Sequence, residues 1–142
     1  MSRLWDKGQP LDARVLEYTA GEDHRLDERL VAYDVRASIA HAEMLGKVGL
    51  LDAAKVAALA GSLAEIGAAH ARSEWTIALE EEDCHTALEA RLTATLGADG
   101  GSIHLGRSRN DQVLTALRLY LKDALEQLAG AAEGVAMALE HV

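Results

Sequence analysis

The sequence predicts an all-α fold, in which a small N-terminal helical domain is followed by the start of a long helix of a central helical bundle. The composition favours helices, because alanine and leucine are abundant while the 142 residues include one proline and no phenylalanine. Strands would need more aromatic and β-branched residues. Apolar residues also recur near the 3.6-residue period of a helix. We therefore expect a helical domain with an extended arm over residues 1–105, and the first long helix of the bundle over residues 106–142.

The first predicted elements are an extended arm and a long amphipathic helix. Residues 1–18 mix charged residues with turn formers around Pro10, so we expect an extended arm that includes a short turn of helix. A helix is predicted from about Asp27 to a stop at residues 46–49. Its apolar stripe consists of Leu30, Tyr33, Ile39, Ala40, Met44, Leu45 and Val48.

The next two predicted helices have recognisable ends. Asp52 is a good N-cap, and Leu51 with Val56 can form a hydrophobic staple around it. A third helix is predicted from about Asp83 to Gly97, since glycine suits the left-handed position that follows a helix. The buried face of the helix that begins after Asp52 is predicted to be Val56, Leu59, Leu63 and Ile66.

A glycine-rich segment leads into the last helix. The stretch "GADGGSIHLG", residues 97–106, contains four glycines and predicts a flexible loop. An apolar helical stripe then continues to Leu139, and an unbroken helix from Ser108 would be about 50 Å long. Such a helix is too long for the small domain before it, and no stop signal follows it. We therefore expect an N-terminal part of a longer polypeptide, whose final helix packs against further sequence or other subunits.

The composition also narrows the possible functions. A formal net charge of −9 argues against binding to the phosphate backbone of nucleic acids. No apolar stretch reaches membrane-spanning length, and the first residues lack the apolar region of a signal peptide. The single cysteine, Cys84, excludes an internal disulfide, fits a reducing compartment and is expected to be a small buried hydrophobe. We expect a soluble cytoplasmic protein with neither a nucleic-acid nor a membrane partner.

The stretch "GRSRND", residues 106–111, is the first candidate site. Ser108 to Asp111 has the capping-box pattern, which by itself only starts a helix. The N-terminus of a helix also attracts anions, and Arg107 and Arg109 oppose the helix dipole there. An unpaired arginine at this point can hold a carboxylate or a phosphate through two parallel hydrogen bonds. The residues leave two alternatives open, an ion pair with an acid elsewhere in the chain or a ligand site.

The stretch "EEEDCHTALE", residues 80–89, is the second candidate site. Asp83 precedes His85 by two residues and Glu89 follows it by four, and a carboxylate can orient an imidazole for acid/base catalysis. As a metal site the stretch is poor, because it has one histidine and no second ligand cluster, so we expect no metal and no cofactor. A solvated acidic turn with a surface histidine is the alternative. Apart from His104, which adjoins the glycine-rich segment and is left undecided, the other histidines are expected to be structural or surface residues: His24, His41, His70 and His141.

Taken together, these segments resemble the argininosuccinate lyase family of the fumarase/aspartase superfamily. The match is strongest from Glu81 to Asp123, in "EEEDCHTALEARLTATLG" and "GGSIHLGRSRNDQVLTALRLYLKD". Weaker similarity extends back through "LVAYDVRASIAHAEMLGKVGLL" and the opening "LWDKG". The motif GRSRNDQ is specific, since other branches of the superfamily carry different serine-rich triplets at this helix start. The chain departs from the family in "YTAGEDHRLDERL", where a serine usually contacts substrate, and at Leu105, where threonine is common.

The resemblance implies an enzyme that cleaves argininosuccinate reversibly to arginine and fumarate, in arginine biosynthesis, by a β-elimination through an aci-carboxylate carbanion. It implies a homotetramer with active sites shared between subunits, and main acid/base groups beyond residue 142, so the chain alone is expected to be inactive. Two alternatives stay open: an inactive structural protein of the same family, of the δ-crystallin type, or a lyase of the superfamily that acts on another succinyl substrate. The residues that the resemblance implies are His85 in a catalytic role and, for substrate binding, Ser108, Arg109, Asn110, Asp83 and Thr86.

Overall fold

The computed structural model of the chain describes residues 12–141, and the regular structure in that range is entirely helical. This confirms the prediction of an all-α fold. The described range contains α1 (Ala13–Ala20), α2 (Asp23–Leu26), α3 (Val31–Lys47), α4 (Ala53–Ala71), α5 (Cys84–Leu96) and α6 (Arg109–Glu140), with 3-10 segments at Asp27–Leu30, Leu79–Glu81 and Gly97–His104.

Helices α3, α4 and α5 enclose the hydrophobic core. Leu59 and Leu63 of α4 are at most 1% exposed, as predicted, while Val56 and Ile66 are half-buried. Each fully buried leucine contributes about 1.5–3 kcal/mol relative to an exposed one. The other buried members of this core are Val31, Val35, Ala42, Ile77, Cys84, Ala87, Leu88, Leu92 and Ile103.

The helix ends follow the predicted caps. The Asp52 carboxylate accepts a hydrogen bond from the backbone N–H of Lys55 at 2.8 Å, which confirms it as the N-cap of α4. Gly97, which ends α5, has a φ of 61°, a positive value that favours glycine. These ends were predictable because a cap depends on residues only two or three positions away.

The predicted extended arm is helical where the structure describes it. Asp12 caps α1 by accepting a hydrogen bond from the N–H of Arg14 at 2.8 Å, and Leu16 and Ala20 of this helix, which contacts the 3-10 segment Leu79–Glu81, are buried. The predicted turn of helix is thus longer than expected and continues to Ala20, and residues 13–18 are not extended, because capping and burial stabilise a helix there. Residues 1–11 of the predicted arm lie outside the described range.

The buried face of α3 differs from the predicted apolar stripe. Met44 and Val48 are 41% and 60% exposed, whereas Asp34 and Ser38 are buried. The inward positions of this helix thus include polar side chains, which apolar periodicity cannot find. Their hydrogen bonds, described below, explain how they are accommodated in the interior.

The glycine-rich segment is helical and packed against α5, so the loop prediction is wrong for residues 97–104. Residues Gly97–His104 form a 3-10 helix that lies against α5. Gly100 is buried, and a Cβ atom there would lie 2.8 Å from the Cα and N atoms of Thr93. The absence of a side chain lets the two backbones approach each other, and this contact positions the segment that leads into α6.

The long final helix is confirmed. Helix α6 runs without interruption for 32 residues, about 48 Å at 1.5 Å per residue. Its first turns pack on α3, where Gln112 and Ala116 are buried. Farther along, large apolar side chains are exposed, including Leu128 at 65% and Leu139 at 71%. The division into two domains at residue 105 stays a prediction.

Among residues 12–141, no helix combines the length and the apolar character that crossing a membrane would require.

Candidate active site

The first wall of the candidate site is the N-terminus of α5. The 3-10 segment Leu79–Glu81 ends at Glu82, whose φ of 67° is unusual for a residue other than glycine. This turn places Asp83 at the N-cap of α5, where its carboxylate accepts a hydrogen bond from the N–H of Thr86 at 2.6 Å. Asp83 and Thr86 are both half-buried at the helix start, so their side chains reach the surface beside the α5 dipole.

The second wall is the N-terminus of α6, where the structure confirms the predicted capping box. Gly106, with a φ of 73°, turns the chain out of the 3-10 segment. The N–H of Asp111 donates to Ser108 Oγ at 3.3 Å, and the N–H of Ser108 donates to Asp111 Oδ2 at 2.9 Å. The Ser108 hydroxyl also donates to Asp111 Oδ2 at 3.0 Å, and the hydrogen bonds that this carboxylate accepts from the N–H and the hydroxyl of Ser108 lower the pKa of Asp111. Asn110 is exposed on the first turn.

Arg109 joins the two walls. Its NH1 group donates to Asp83 Oδ1 at 3.3 Å and to Thr86 Oγ1 at 3.4 Å, and its NH2 group donates to Glu89 Oε2 at 3.4 Å. All three contacts are longer than the roughly 2.7–2.9 Å of strong charge-assisted hydrogen bonds. The side chains of Arg109, Asp83 and Glu89 are each about one third exposed, at 34%, 33% and 36%.

These contacts bear on the two alternatives left open for the arginine. The ion pairs with Asp83 and Glu89 show that acids within the chain do meet Arg109. Ion pairs that are this exposed, with N···O distances of 3.3 and 3.4 Å, contribute only about 0–1 kcal/mol each to stability. A guanidinium has five N–H donors, so loosely held Arg109 keeps the capacity to bind an external carboxylate. The geometry is therefore compatible with a ligand site that protein carboxylates line.

Behind this surface lies a buried hydrogen-bond network centred on Asp34 of α3. Asp34 is 0% exposed. Its Oδ2 atom accepts hydrogen bonds from His85 Nδ1 at 2.8 Å and from Gln112 Nε2 at 2.9 Å. Its Oδ1 atom accepts from Gln112 Nε2 at 3.1 Å and from Ser38 Oγ at 3.2 Å. A buried carboxylate is costly unless it is well hydrogen-bonded, and this one accepts from three side chains.

His85 belongs to this network rather than to the surface. It is 1% exposed, and the carboxylate that contacts its ring is Asp34, not Asp83 or Glu89 as the sequence suggested. Asp83 is instead engaged as a helix cap, and Glu89 is engaged with Arg109. A carboxylate oxygen accepts, so Nδ1 of His85 is the donor in this contact.

Arg107 extends the network to the segment before α6. Its NH2 group donates to Ser38 Oγ at 3.0 Å, and Ser38 in turn donates to Asp34. Burial lowers the pKa of Arg107, while the negative charge of Asp34 opposes that effect. Within residues 12–141, the Nε atom of Arg107 and the Oε1 atom of Gln112 are buried without a hydrogen-bond partner.

The histidine left undecided from sequence, His104, lies at the edge of the site. Its Nε2 atom is 2.9 Å from Glu89 Oε2, the same oxygen that Arg109 approaches. His41 contacts the carbonyl oxygen of Leu105 through Nε2 at 3.0 Å. Of these two, only His104 touches a residue that contacts Arg109.

Cys84 is buried, as expected, and takes part in the one candidate group of metal ligands found among residues 12–141. Potential ligand atoms of Asp27, Cys84 and His85 lie within 4.8 Å of one another. Burial, together with the carboxylates of Asp34, Asp27 and Asp83, raises the pKa of the Cys84 thiol far above its ordinary value. Asp27 accepts a hydrogen bond from the N–H of Cys84 at 3.2 Å.

The structure thus brings together most of the residues that the sequence singled out. Arg109 contacts Asp83 and Thr86, with Ser108 and Asn110 beside it on α6, whereas His85 lies behind them in the interior. Sequence reasoning missed Asp34 and Gln112. A lone aspartate among the apolar positions of α3, four residues before Ser38, was the signal that could have indicated a buried polar partner.

Comparison with known proteins shows to which family the chain that forms this site belongs. A family model described as "Lyase" matches residues 8–141. The chain belongs to this lyase family. A protein from Sorangium cellulosum named argininosuccinate lyase is 48% identical over 137 residues, which cover 96% of this chain and 32% of that protein. Proteins of the same name from Thermotoga neapolitana and Xanthomonas axonopodis pv. citri are 44% and 43% identical, covering 89% and 97% of this chain and 32% of each relative.

This lyase chain therefore spans about a third of the length of the curated relatives that it matches. The resemblance indicated by GRSRNDQ and by the α5 segment is confirmed, since the relatives carry the name that those motifs suggested. The match includes both walls of the candidate site, because residues 83–89 and 106–111 lie within the matched range.

Proposed function

We propose that the chain forms the carboxylate-binding part of an enzyme that cleaves argininosuccinate reversibly to arginine and fumarate, in arginine biosynthesis. The observation that carries this proposal is Arg109 at the N-terminus of α6, facing Asp83 and Thr86 at the N-terminus of α5. The name shared by relatives that are 43–48% identical supports the choice of substrate.

The proposed chemistry uses both helix N-termini. Ser108, Arg109 and Asn110 bind the carboxylates of the succinyl group, with Asp83 and Thr86 completing the binding surface. In the β-elimination, a base removes the proton next to a carboxylate, and the C–N bond to the guanidinium then breaks. Negative charge grows on the carboxylate oxygens in between, so a guanidinium and a helix N-terminus stabilise the intermediate more than the substrate.

His85 is proposed as part of the catalytic segment, although its ring is buried against Asp34. The resemblance assigns the main acid/base groups to sequence beyond residue 142. We accordingly expect the purified 142-residue chain to release no fumarate from argininosuccinate. Measurable release would contradict that assignment and would make His85 the first candidate for the base.

The proposed assembly is a homotetramer in the cytoplasm with active sites shared between subunits, a small-molecule substrate, and no nucleic-acid or membrane partner. Exposed leucines along α6 support packing against other subunits, because a face this apolar is stabilised by burial. The net charge of −9 supports the absence of a nucleic-acid partner.

The test of the proposed function is turnover by the complete gene product. With argininosuccinate as substrate, arginine and fumarate should appear in equal amounts, and other succinyl compounds such as adenylosuccinate should give no fumarate. A tetramer that binds but never cleaves the substrate would favour the structural alternative of the δ-crystallin type. Cleavage of another succinyl compound in preference would favour a different lyase of the superfamily.

A further inference from the structure

A single buried carboxylate contacts every helix that contributes to the candidate site. Asp34 lies on α3, which itself supplies no predicted substrate-binding residue. It accepts hydrogen bonds from His85 on α5 and from Gln112 on α6. The two contacts join residues that are 51 and 78 positions apart in sequence.

On α5, the contact lies inside the binding segment. His85 stands between the N-cap Asp83 and Thr86, two of the three residues at this end of α5 whose side chains accept hydrogen bonds from Arg109; the third is Glu89. The His85 ring is 2% exposed and Asp34 is 0% exposed, so water competes little for their hydrogen bond. Holding the ring in place therefore fixes the rotation of the first turn of α5 about its axis.

On α6, the same carboxylate is connected to residues on both sides of Ser108, Arg109 and Asn110, which we call the binding triplet. Gln112 follows Arg109 by three residues, one turn of helix, and its amide donates to both oxygens of Asp34. Arg107 precedes Ser108 and reaches Asp34 through Ser38 Oγ. The binding triplet is consequently held in place on both sides, because Gln112 contacts Asp34 directly and Arg107 contacts it through Ser38.

We propose that Asp34 is the positioning residue of the carboxylate-binding site, setting the α6 triplet against the α5 segment through Gln112, His85 and the Ser38–Arg107 link. It touches no substrate itself. The inference rests on the proposed function for its substrate, but the hydrogen bonds that connect Asp34 to the two helix starts are the same whatever substrate binds. Because arginine must meet a carboxylate with both hydrogen bonds aligned, a small displacement of the triplet weakens binding and slows the elimination.

Two substitutions separate this role from ordinary stabilisation. Asp34→Asn keeps the shape but replaces one acceptor oxygen by a donor, so Gln112 can no longer donate to both oxygens. Gln112→Met removes only the link to α6 and keeps a side chain of similar length. Val31→Ala is the matched control, because Val31 is a fully buried residue one turn earlier on α3 whose loss makes a cavity without breaking a hydrogen bond of the network.

The experiment is made on the complete gene product, with two readouts. The first is the inhibition constant of fumarate and the KM and kcat for argininosuccinate. The second is hydrogen exchange of the backbone amides of residues 106–112. Asp34→Asn and Gln112→Met should raise the fumarate inhibition constant and KM by about tenfold or more, with a smaller fall in kcat, and should speed exchange at the α6 start. Val31→Ala should lower Tm and leave both readouts unchanged.

The inference is overturned if the two network variants lower Tm as Val31→Ala does while the inhibition constant, KM and exchange at residues 106–112 stay at wild-type values. If the wild-type gene product does not cleave argininosuccinate, the proposed function fails instead. Exchange at the α6 start then still decides the role of Asp34, because it requires no substrate. If Asp34→Asn does not fold, the comparison of Gln112→Met with Val31→Ala by the same readouts decides whether the network positions the site.

Discussion

Replacing Gly100 by alanine should destabilise the fold through a backbone clash. The new Cβ would lie 2.8 Å from Cα and N of Thr93 and 2.9 Å from the carbonyl carbon of Leu92. Carbon atoms pack best at about 3.5–4.0 Å, and backbone atoms inside α5 cannot move aside as a flexible side chain can. Forcing a methyl group into such a contact costs about 1–3 kcal/mol. For a chain of this size, that corresponds to a fall in Tm of roughly 3–10 °C.

The neighbouring Gly101 provides the control. A Cβ atom there meets nothing within 4 Å, so Gly101→Ala should change the free energy of unfolding by no more than about 1 kcal/mol, and in the stabilising direction if the backbone accepts alanine. Thermal unfolding followed by circular dichroism measures both variants. Equal Tm values for Gly100→Ala and wild type would refute the close packing of the Gly97–His104 segment on α5.

Two further predictions concern single residues away from the binding surface. Cys84 should resist iodoacetamide in the folded chain at neutral pH and react once the chain is unfolded, because burial and nearby carboxylates raise the pKa of its thiol; mass spectrometry showing rapid alkylation of the folded chain would contradict its burial. Asp52→Ala should cost about 0.5–2 kcal/mol by removing the N-cap of α4, whose carboxylate accepts from Lys55 at 2.8 Å. Asp52→Asn should restore most of that loss in chemical denaturation, and equal destabilisation by both variants would argue against a capping role.

Local signals in the sequence were sufficient for the helix ends and for the start of α6. The Asp52 cap and the Ser108–Asp111 box depend on residues three positions apart, and such patterns can be read directly from the sequence. The length of α6 was predictable for a similar reason, because an apolar stripe at helical spacing continues to the last described turns.

The buried network could not be predicted from local spacing. Asp34 is 51 residues from His85 and 78 from Gln112, and nothing in the intervening sequence shows that these side chains meet. Periodicity assigns the inner face of a helix to apolar residues, so it misplaced the face of α3 that carries Asp34 and Ser38. Acids close to His85 in sequence were expected to orient it, but the N-cap geometry turns Asp83 toward the backbone of its own helix.

The glycine-rich segment was misjudged for a different physical reason. Glycine favours loops because it has many accessible conformations, but it also allows two backbones to come closer than any side chain would permit. Composition does not distinguish these two uses. At Gly100 the second applies, and the resulting packing carries the chain from α5 to Gly106 and the start of α6.

The most direct test of the binding site is the kinetics of Arg109→Lys in the complete gene product with argininosuccinate. Lysine keeps the positive charge but lacks the planar fork that holds a carboxylate through two hydrogen bonds. We predict that kcat/KM falls tenfold or more, which corresponds to about 1.4 kcal/mol or more of lost transition-state stabilisation. Arg118→Lys, at an exposed position of the same helix, should leave kcat/KM unchanged. Equal kcat/KM for Arg109→Lys and wild type would contradict the ligand site and leave the α6 start as a helix cap joined to α5 by an ion pair.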